Sequence, residues 1–155
     1  MYNVRLAKLQ DCDQIQELWE ILSIDHLKKA KCTISEKQME KYGYERLVNS
    51  ESCIILVAEN EEAKIVAFAE IYTNMNKTIF LDGKSAYVLH TLVLPEYRTS
   101  RVLLDMLEKL EEILKERGIT YICADVYMSN HRFYNNIRFL DFEPYKTRFV
   151  RKINV

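Results

Sequence analysis

The sequence predicts one α/β (α+β) domain: a mixed, mostly antiparallel sheet of six to seven strands flanked by about four helices. Three observations point there. Between residues 53 and 94, three apolar runs of strand length follow one another across polar turns, the arrangement of antiparallel neighbours. Further on, a strand, a strongly amphipathic helix and another strand occur in order, as in a parallel crossover. The 155 residues hold only three glycines and two prolines, and no linker or repeat divides them.

The elements follow in chain order. Asn3 to Ala7 alternates and reads as the first strand. Asp11 or Asp13 caps a helix whose apolar stripe is Ile15, Leu18, Trp19 and Leu22. Residues 23 to 50 are polar and mostly helical; Ser35 with Gln38 offers a capping box ahead of a helix carrying Met39, Tyr42 and Leu47. Cys53–Ala58 is a strand, Lys64–Tyr72 its return, and Asp82-Gly83 marks a hairpin turn before the strand from Ser85 to Leu94, which Pro95 ends. Leu103, Met106, Leu107, Leu110, Ile113 and Leu114 then recur at helical spacing with charged residues between them, and Gly118 supplies the stop. Tyr121–Tyr127 reads as a strand, Asn130 to about Leu140 as a helix, and Thr147–Ile153 as a last strand.

Composition narrows the function. Apolar residues make up 48% and charged residues 29% of the chain, enough to fill a core under a charged surface. Lysine and arginine number 22 against 23 aspartates and glutamates, for a net charge of −1, so the overall basic excess of a nucleic-acid binder is missing. The basic tail from Lys146 to Lys152 reads as a strand with a charged open face. Cys12, Cys32, Cys53 and Cys123 are widely spaced, without the close pairs of a zinc site or the density of a disulfide scaffold. Cys53 and Cys123 lie in apolar runs and are expected to be buried, reduced thiols. Neither a signal-peptide pattern nor an apolar stretch of membrane-spanning length occurs, so a cytoplasmic setting without a membrane partner is expected. The scattered glycines, Gly43, Gly83 and Gly118, exclude a phosphate loop built from clustered glycines.

The order of elements, together with Leu92-Val-Leu-Pro95-Glu-Tyr-Arg98 between strand and helix, resembles the GCN5-related N-acetyltransferase (GNAT) family. That family's fourth strand typically ends in an apolar-Val-apolar-Pro-x-Tyr-Arg stretch, followed by an acetyl-CoA loop written Arg/Gln-x-x-Gly-x-Gly/Ala. Here the loop is Arg98-Thr99-Ser100-Arg101-Val102-Leu103. Val126-Tyr-Met-Ser-Asn130 and Leu140-Asp-Phe142-Glu-Pro144 match the family's Val-x-x-x-Asn and Leu-Gly-Phe-Glu-Pro in type and spacing. The resemblance spans essentially the whole chain.

It implies acetyl transfer from acetyl-CoA to an amine by direct attack, resting on positioning and carbonyl polarisation, and needing no metal. It assigns Leu92, Val93 and Leu94 to the pantetheine arm, the segment Arg98, Thr99, Ser100, Arg101, Val102 and Leu103 to the pyrophosphate, and Asn130 to a place near the arm. The loop departs from the pattern, with Arg101 and Leu103 where the family has glycines. Backbone amides and a helix dipole do not depend on side chains, so an anion site survives that change; Thr99 or Ser100 caps the helix, and Arg98 and Arg101 supply guanidinium contacts. The opposite reading is a degenerate GNAT-fold domain, a CoA-binding sensor or protein-interaction module without turnover.

Two side chains are candidates for catalysis. Many family members use a fourth-helix tyrosine as general acid. Counting without gaps from Asn130 to Phe142 puts Ile137 there and gives a core stripe of Phe133, Ile137 and Leu140, the better fit at both ends. A shift of three makes Tyr134 the acid, against a plain half-buried tyrosine. His90, on the same side of its strand as Val88, Leu92 and Leu94, has an intrinsic proton affinity suited to a base, against the commoner hydrogen-bonded core histidine. Glu70 and Tyr72 share one face of the third strand and either line the acceptor pocket or are exposed. His26 and His131 are assigned nothing. The acceptor, a small-molecule amine or a peptide or protein amine, is chosen by residues 23–50 and C-terminal loops, and the family adds the expectation of a homodimer.

Overall fold

The structure, a computed structural model, describes residues 2–29, 43–74, 82–98, 101–147, 149 and 151. They fall into two units, Met1–Asp125 and Val126–Val155, each taken by itself. The first holds a five-stranded sheet in the order β1-β2-β3-β4-β5, formed by β1 (Tyr2–Leu6), β2 (Cys53–Asn60), β3 (Ile65–Tyr72), β4 (Ser85–Val93) and β5 (Tyr121–Ala124). Its helices are α1 (Cys12–Lys29), α2 (Tyr44–Val48) and α3 (Val102–Glu116). The second unit contributes α4 (His131–Arg138).

Strands β1 to β4 pair antiparallel and β4 pairs parallel with β5, as expected of a mixed sheet with a late crossover. The count is five among the described residues, against six to seven from the sequence. Of the expected last strand, Thr147–Ile153, only Thr147, Phe149 and Arg151 are described, and they are not in a strand; the rest lies outside the described residues.

The core explains the apolar runs. Cys53 to Ala58 and Ile65 to Ile71 are buried without alternation, because β2 and β3 are central and covered on both faces. Directly opposed residues share a face, so Val57, Phe68 and Leu92 lie on one side and Leu56, Ala69 and Thr91 on the other. The first face is covered by α1, through Ile15, Leu18, Trp19 and Leu22, and by α2. There the Tyr44 and Phe68 rings meet edge to face at 6.0 Å and 82°, worth about 0.5–1.5 kcal/mol beyond their burial. Helix α3 packs over β1 and β2, and Tyr2 donates to Asp105 at 2.6 Å. Its buried residues are Val102, Met106, Leu110 and Leu114, an i, i+4 row one residue off the centre of the expected stripe.

Two boundaries move for physical reasons. Asp11 ends a short 3-10 turn, Leu9–Asp11, and its carboxylate accepts the Lys8 N–H at 2.7 Å, so it serves the turn ahead of α1. Gly43 adopts φ +82, which a helix cannot continue through, so α2 begins at Tyr44 and no single helix carries both Met39 and Leu47. Ser35, Gln38, Met39 and Tyr42 lie outside the described residues. Gly118, at φ +65, ends α3 as expected, with Ile119 N–H returning to Leu114 O at 3.0 Å. Among the described residues, no helix is long and apolar enough to cross a membrane.

Candidate active site

The centre of the site is an irregularity in the sheet. From Ala67↔Val93 to Glu70↔His90 the β3–β4 register is regular, and it then slips to Ile71↔Val88. Leu89 is the extra residue, a bulge on β4. One consequence corrects the sequence reading. His90 shares its face with Leu92 and Leu94, but Val88 opposes Ile71 and lies on the other face, because the inserted residue breaks the alternation.

Glu70, opposite His90, is fully buried, which overturns its reading as an exposed strand residue. It sits in the row Val66, Phe68, Glu70, Tyr72 under α1 and α2, where an apolar side chain is usual. A carboxylate there requires hydrogen-bond donors. His90 Nδ1 lies 2.9 Å from Oε2, the Tyr44 hydroxyl donates to the same oxygen at 3.2 Å, and the Tyr72 hydroxyl donates to Oε1 at 2.7 Å. Cys53 opposes Tyr72 on β2; burial, reinforced by the Glu70 charge, pushes its thiol up to about 12, so it stays neutral. Cys53 is buried as expected and Cys123, on edge strand β5, is half-buried.

Tyr72 also lines a cleft of about 430 Å³ with Gly43, Arg46, Leu47 and Ser50. Among the described residues, no carboxylate pairs with the Arg46 side chain, and its guanidinium lies so close over Gly43 that a Cβ there would stand 3.2 Å from Nη2. Tyr44 carries no sequence signal, because it sits in a polar stretch and off the expected stripe of Met39, Tyr42 and Leu47. For Glu70 a signal existed: a lone carboxylate in an apolar row of period two.

On the other edge, β4 pairs with β5 only over Ser85–Val88 and Tyr121–Ala124. Leu94 N–H donates to Val66 O at 3.0 Å, so by the alternation of an antiparallel ladder the backbone groups of Val93 and Thr91 point away from β3. Leu92 and Leu94 bury their side chains. Val93 O accepts from Arg98 Nε at 2.9 Å. The Arg101 side chain makes no cap for α3; it runs along the helix to Asp105 and Glu108, each at 3.3 Å. Val102, the first residue of α3, is buried and Leu103 half-buried; Thr99 and Ser100 lie outside the described residues. These features fit an elongated anionic ligand: a strand edge with outward backbone groups, running into a helix start near two arginines.

In the second unit, Asn130 caps α4, its side chain accepting from Phe133 N–H at 3.4 Å. Phe133, Tyr134, Ile137 and Leu140 form the less exposed stripe of that unit. Asp141 stands where the resembled motif has glycine, and takes φ +61. Among the described residues, no three His, Cys, Asp or Glu side chains cluster in a way that could hold a metal ion.

Comparison with known proteins defines the class. The acetyltransferase (GNAT) family matches residues 15–139, and the chain belongs to that family. Solved structures share the fold at low identity. A tetramutant of the BH1408 protein from Bacillus halodurans superposes with a TM-score of 0.83 at 20% identity, over 97% of this chain and 99% of that one. The aminoglycoside antibiotic 6'-N-acetyltransferase AAC(6')-Ih from Acinetobacter baumannii gives 0.79 at 16%, over 100% and 99%. A ribosomal-protein-alanine N-acetyltransferase from Brucella melitensis gives 0.71 at 14%, over 99% and 100%. No curated protein sequence matches the chain.

Proposed function

We propose that this protein transfers the acetyl group of acetyl-CoA to a primary amine by direct attack, with His90 as the base. The observation that carries the reading is the His90–Glu70 pair, Nδ1 to Oε2 at 2.9 Å, on the strand whose pairing with β5 ends, among the described residues, at Val88. In this mechanism the amine nitrogen attacks the thioester carbonyl carbon and one N–H proton passes to His90 Nε2. The C–S bond then breaks, the amide forms, and the departing thiolate takes a proton from solvent, leaving coenzyme A as the thiol. His90 returns to its starting state as its proton is lost to solvent.

In the same reading Val93, flanked by Leu92 and Leu94, pairs with the pantetheine arm. Arg98, Thr99, Ser100, Arg101, Val102 and Leu103 hold the pyrophosphate. The amine enters by the Tyr72 cleft, whose volume of about 430 Å³ suits a small amine or the end of a longer one. Solved structures of the same fold support the donor: an aminoglycoside N-acetyltransferase holds coenzyme A in one structure and a CoA-linked bisubstrate analogue in another.

Calorimetric titration with acetyl-CoA, followed by thiol release over an aminoglycoside, a polyamine and an alanine-terminated peptide, tests this. Binding with turnover on one of these amines is expected; no binding at high micromolar acetyl-CoA would sink it. A second reading, binding without turnover as a sensor, draws on the engagement of Arg101 by Asp105 and Glu108, and binding without transfer or hydrolysis selects it. If the arginines meet phosphate, Arg98→Ala and Arg101→Ala each weaken coenzyme A more than a pantetheine fragment lacking phosphates. Equal losses remove them from the phosphate site.

A further inference from the structure

We infer that Glu70 is the positioning residue of His90: a buried carboxylate that fixes which ring nitrogen carries the hydrogen and aims the other at the acceptor amine. The inference rests on the reading of His90 as base. Its first support is that the fold builds this pair at a loss. An apolar residue in the row Val66, Phe68, Tyr72 would need no donors, whereas Glu70 is fully buried and takes hydrogen bonds from β3 and α2 besides its contact with β4. Buried carboxylates persist only when so satisfied.

The bulge is the second support. Extending the Ile71↔Val88 register by one residue would set Leu89 opposite Glu70, and the insertion sets His90 there instead. Bulges re-aim side chains. The third is the chemistry of the contact. An ionised carboxylate only accepts, so at 2.9 Å the Nδ1 atom carries the hydrogen and the neutral ring offers Nε2 as its lone pair. Among the described residues, the groups facing Glu70 include Tyr44 from α2, Cys53 from β2, Tyr72 from its own strand and His90 from β4, with Arg46 bordering the cleft that Tyr72 lines. Tyr72 thus links the cleft wall to the carboxylate that holds the base.

The test separates positioning from packing by the ring tautomer. In the full chain labelled with 15N-histidine, the His90 ring signals are assigned among the three histidines by their loss in His90→Gln. The expected neutral ring is protonated at Nδ1, and a neutral ring protonated at Nε2 overturns the inference whether or not any Glu70 variant folds. In Glu70→Leu, which suits the apolar row, Nδ1 loses its acceptor and the ring shifts toward protonation at Nε2; a tautomer that stays at Nδ1 overturns the inference. For catalysis, Glu70→Leu lowers kcat by about tenfold or more while KM for acetyl-CoA stays close to the wild-type value; an unchanged kcat overturns the positioning role. If the wild-type protein acetylates none of the amines, it is the transferase reading that fails, and the ring signals still decide the pair.

Discussion

Asp11 shows how far one carboxylate reaches. It is buried at the start of α1, accepts the Lys8 N–H, and takes two hydrogen bonds from the Arg5 guanidinium at 2.6 and 3.0 Å. Arg5 Nε donates to Glu59 at 2.8 Å and Nη1 also to Leu6 O at 3.2 Å. The Arg5 guanidinium, helped by the Lys8 amide, holds the Asp11 carboxyl below the ordinary aspartate range despite burial. A group lowered in the folded state adds stability that is fully present above its unfolded value, near 3.8, and is lost as pH falls through the folded value. Asp11→Asn is therefore expected to lose on the order of 1.5–3 kcal/mol at neutral pH, as for hydrogen bonds to charged groups. The gap to wild type narrows progressively below about pH 4 as the wild-type carboxyl takes up its proton. Urea unfolding of both proteins at pH 7 and in acid checks this; a gap that does not shrink in acid assigns the effect to packing.

At the scale of elements, two helix ends make the same turn with different residues. Gly118 holds φ +65 with open space around the position of a Cβ. Gly118→Ala therefore lowers stability by backbone strain alone, about 1 kcal/mol. Asp141 holds φ +61 after α4, with Phe142 N–H returning to Ile137 O at 3.3 Å, a geometry glycine adopts without strain. Asp141→Gly is expected to stabilise the end of α4 by about 0.5–1 kcal/mol. Thermal unfolding of the pair, with shifts of opposite sign, is the measurement. The bulge belongs to this scale too. A single inserted residue decides that His90, and not Leu89, opposes Glu70, while leaving Leu92 and Leu94 in the core.

For the whole molecule, the decisive feature is that β4 pairs with β3 as far as Val93, whereas among the described residues its pairing with β5 ends at Val88. If acetyl-CoA adds along that edge, the outward amides of Thr91 and Val93 gain protection in hydrogen exchange on titration with coenzyme A. Those of Leu92 and Leu94, turned toward β3, are protected already and change little. Equal gains at all four positions would point to general tightening and away from an edge ligand. Most of the element order was legible in the sequence because burial writes itself as period: alternation or apolar runs for β1 to β4, and a 3.6-residue stripe for α1 and α3. The turn chemistry of Gly118 was legible for the same local reason. Less was legible at the site. Tyr44 stands in a polar segment, and the bulge at Leu89 has no residue signature of its own.

By itself the sequence determined the family, the order of strands and helices through α4, and the candidate base, since each depends on residue types at fixed spacing along the chain. Only the tertiary structure decided what His90 touches. Which face His90 occupies, that Glu70 is sealed inside, and that Tyr44 and Tyr72 satisfy it all follow from the register between two strands and the docking of α2. Those are relations among residues as far apart as 44 and 90, and no local propensity encodes them. Hydrophobic period fixes where the chain becomes regular; a buried charge and its donors are matched only when the elements meet.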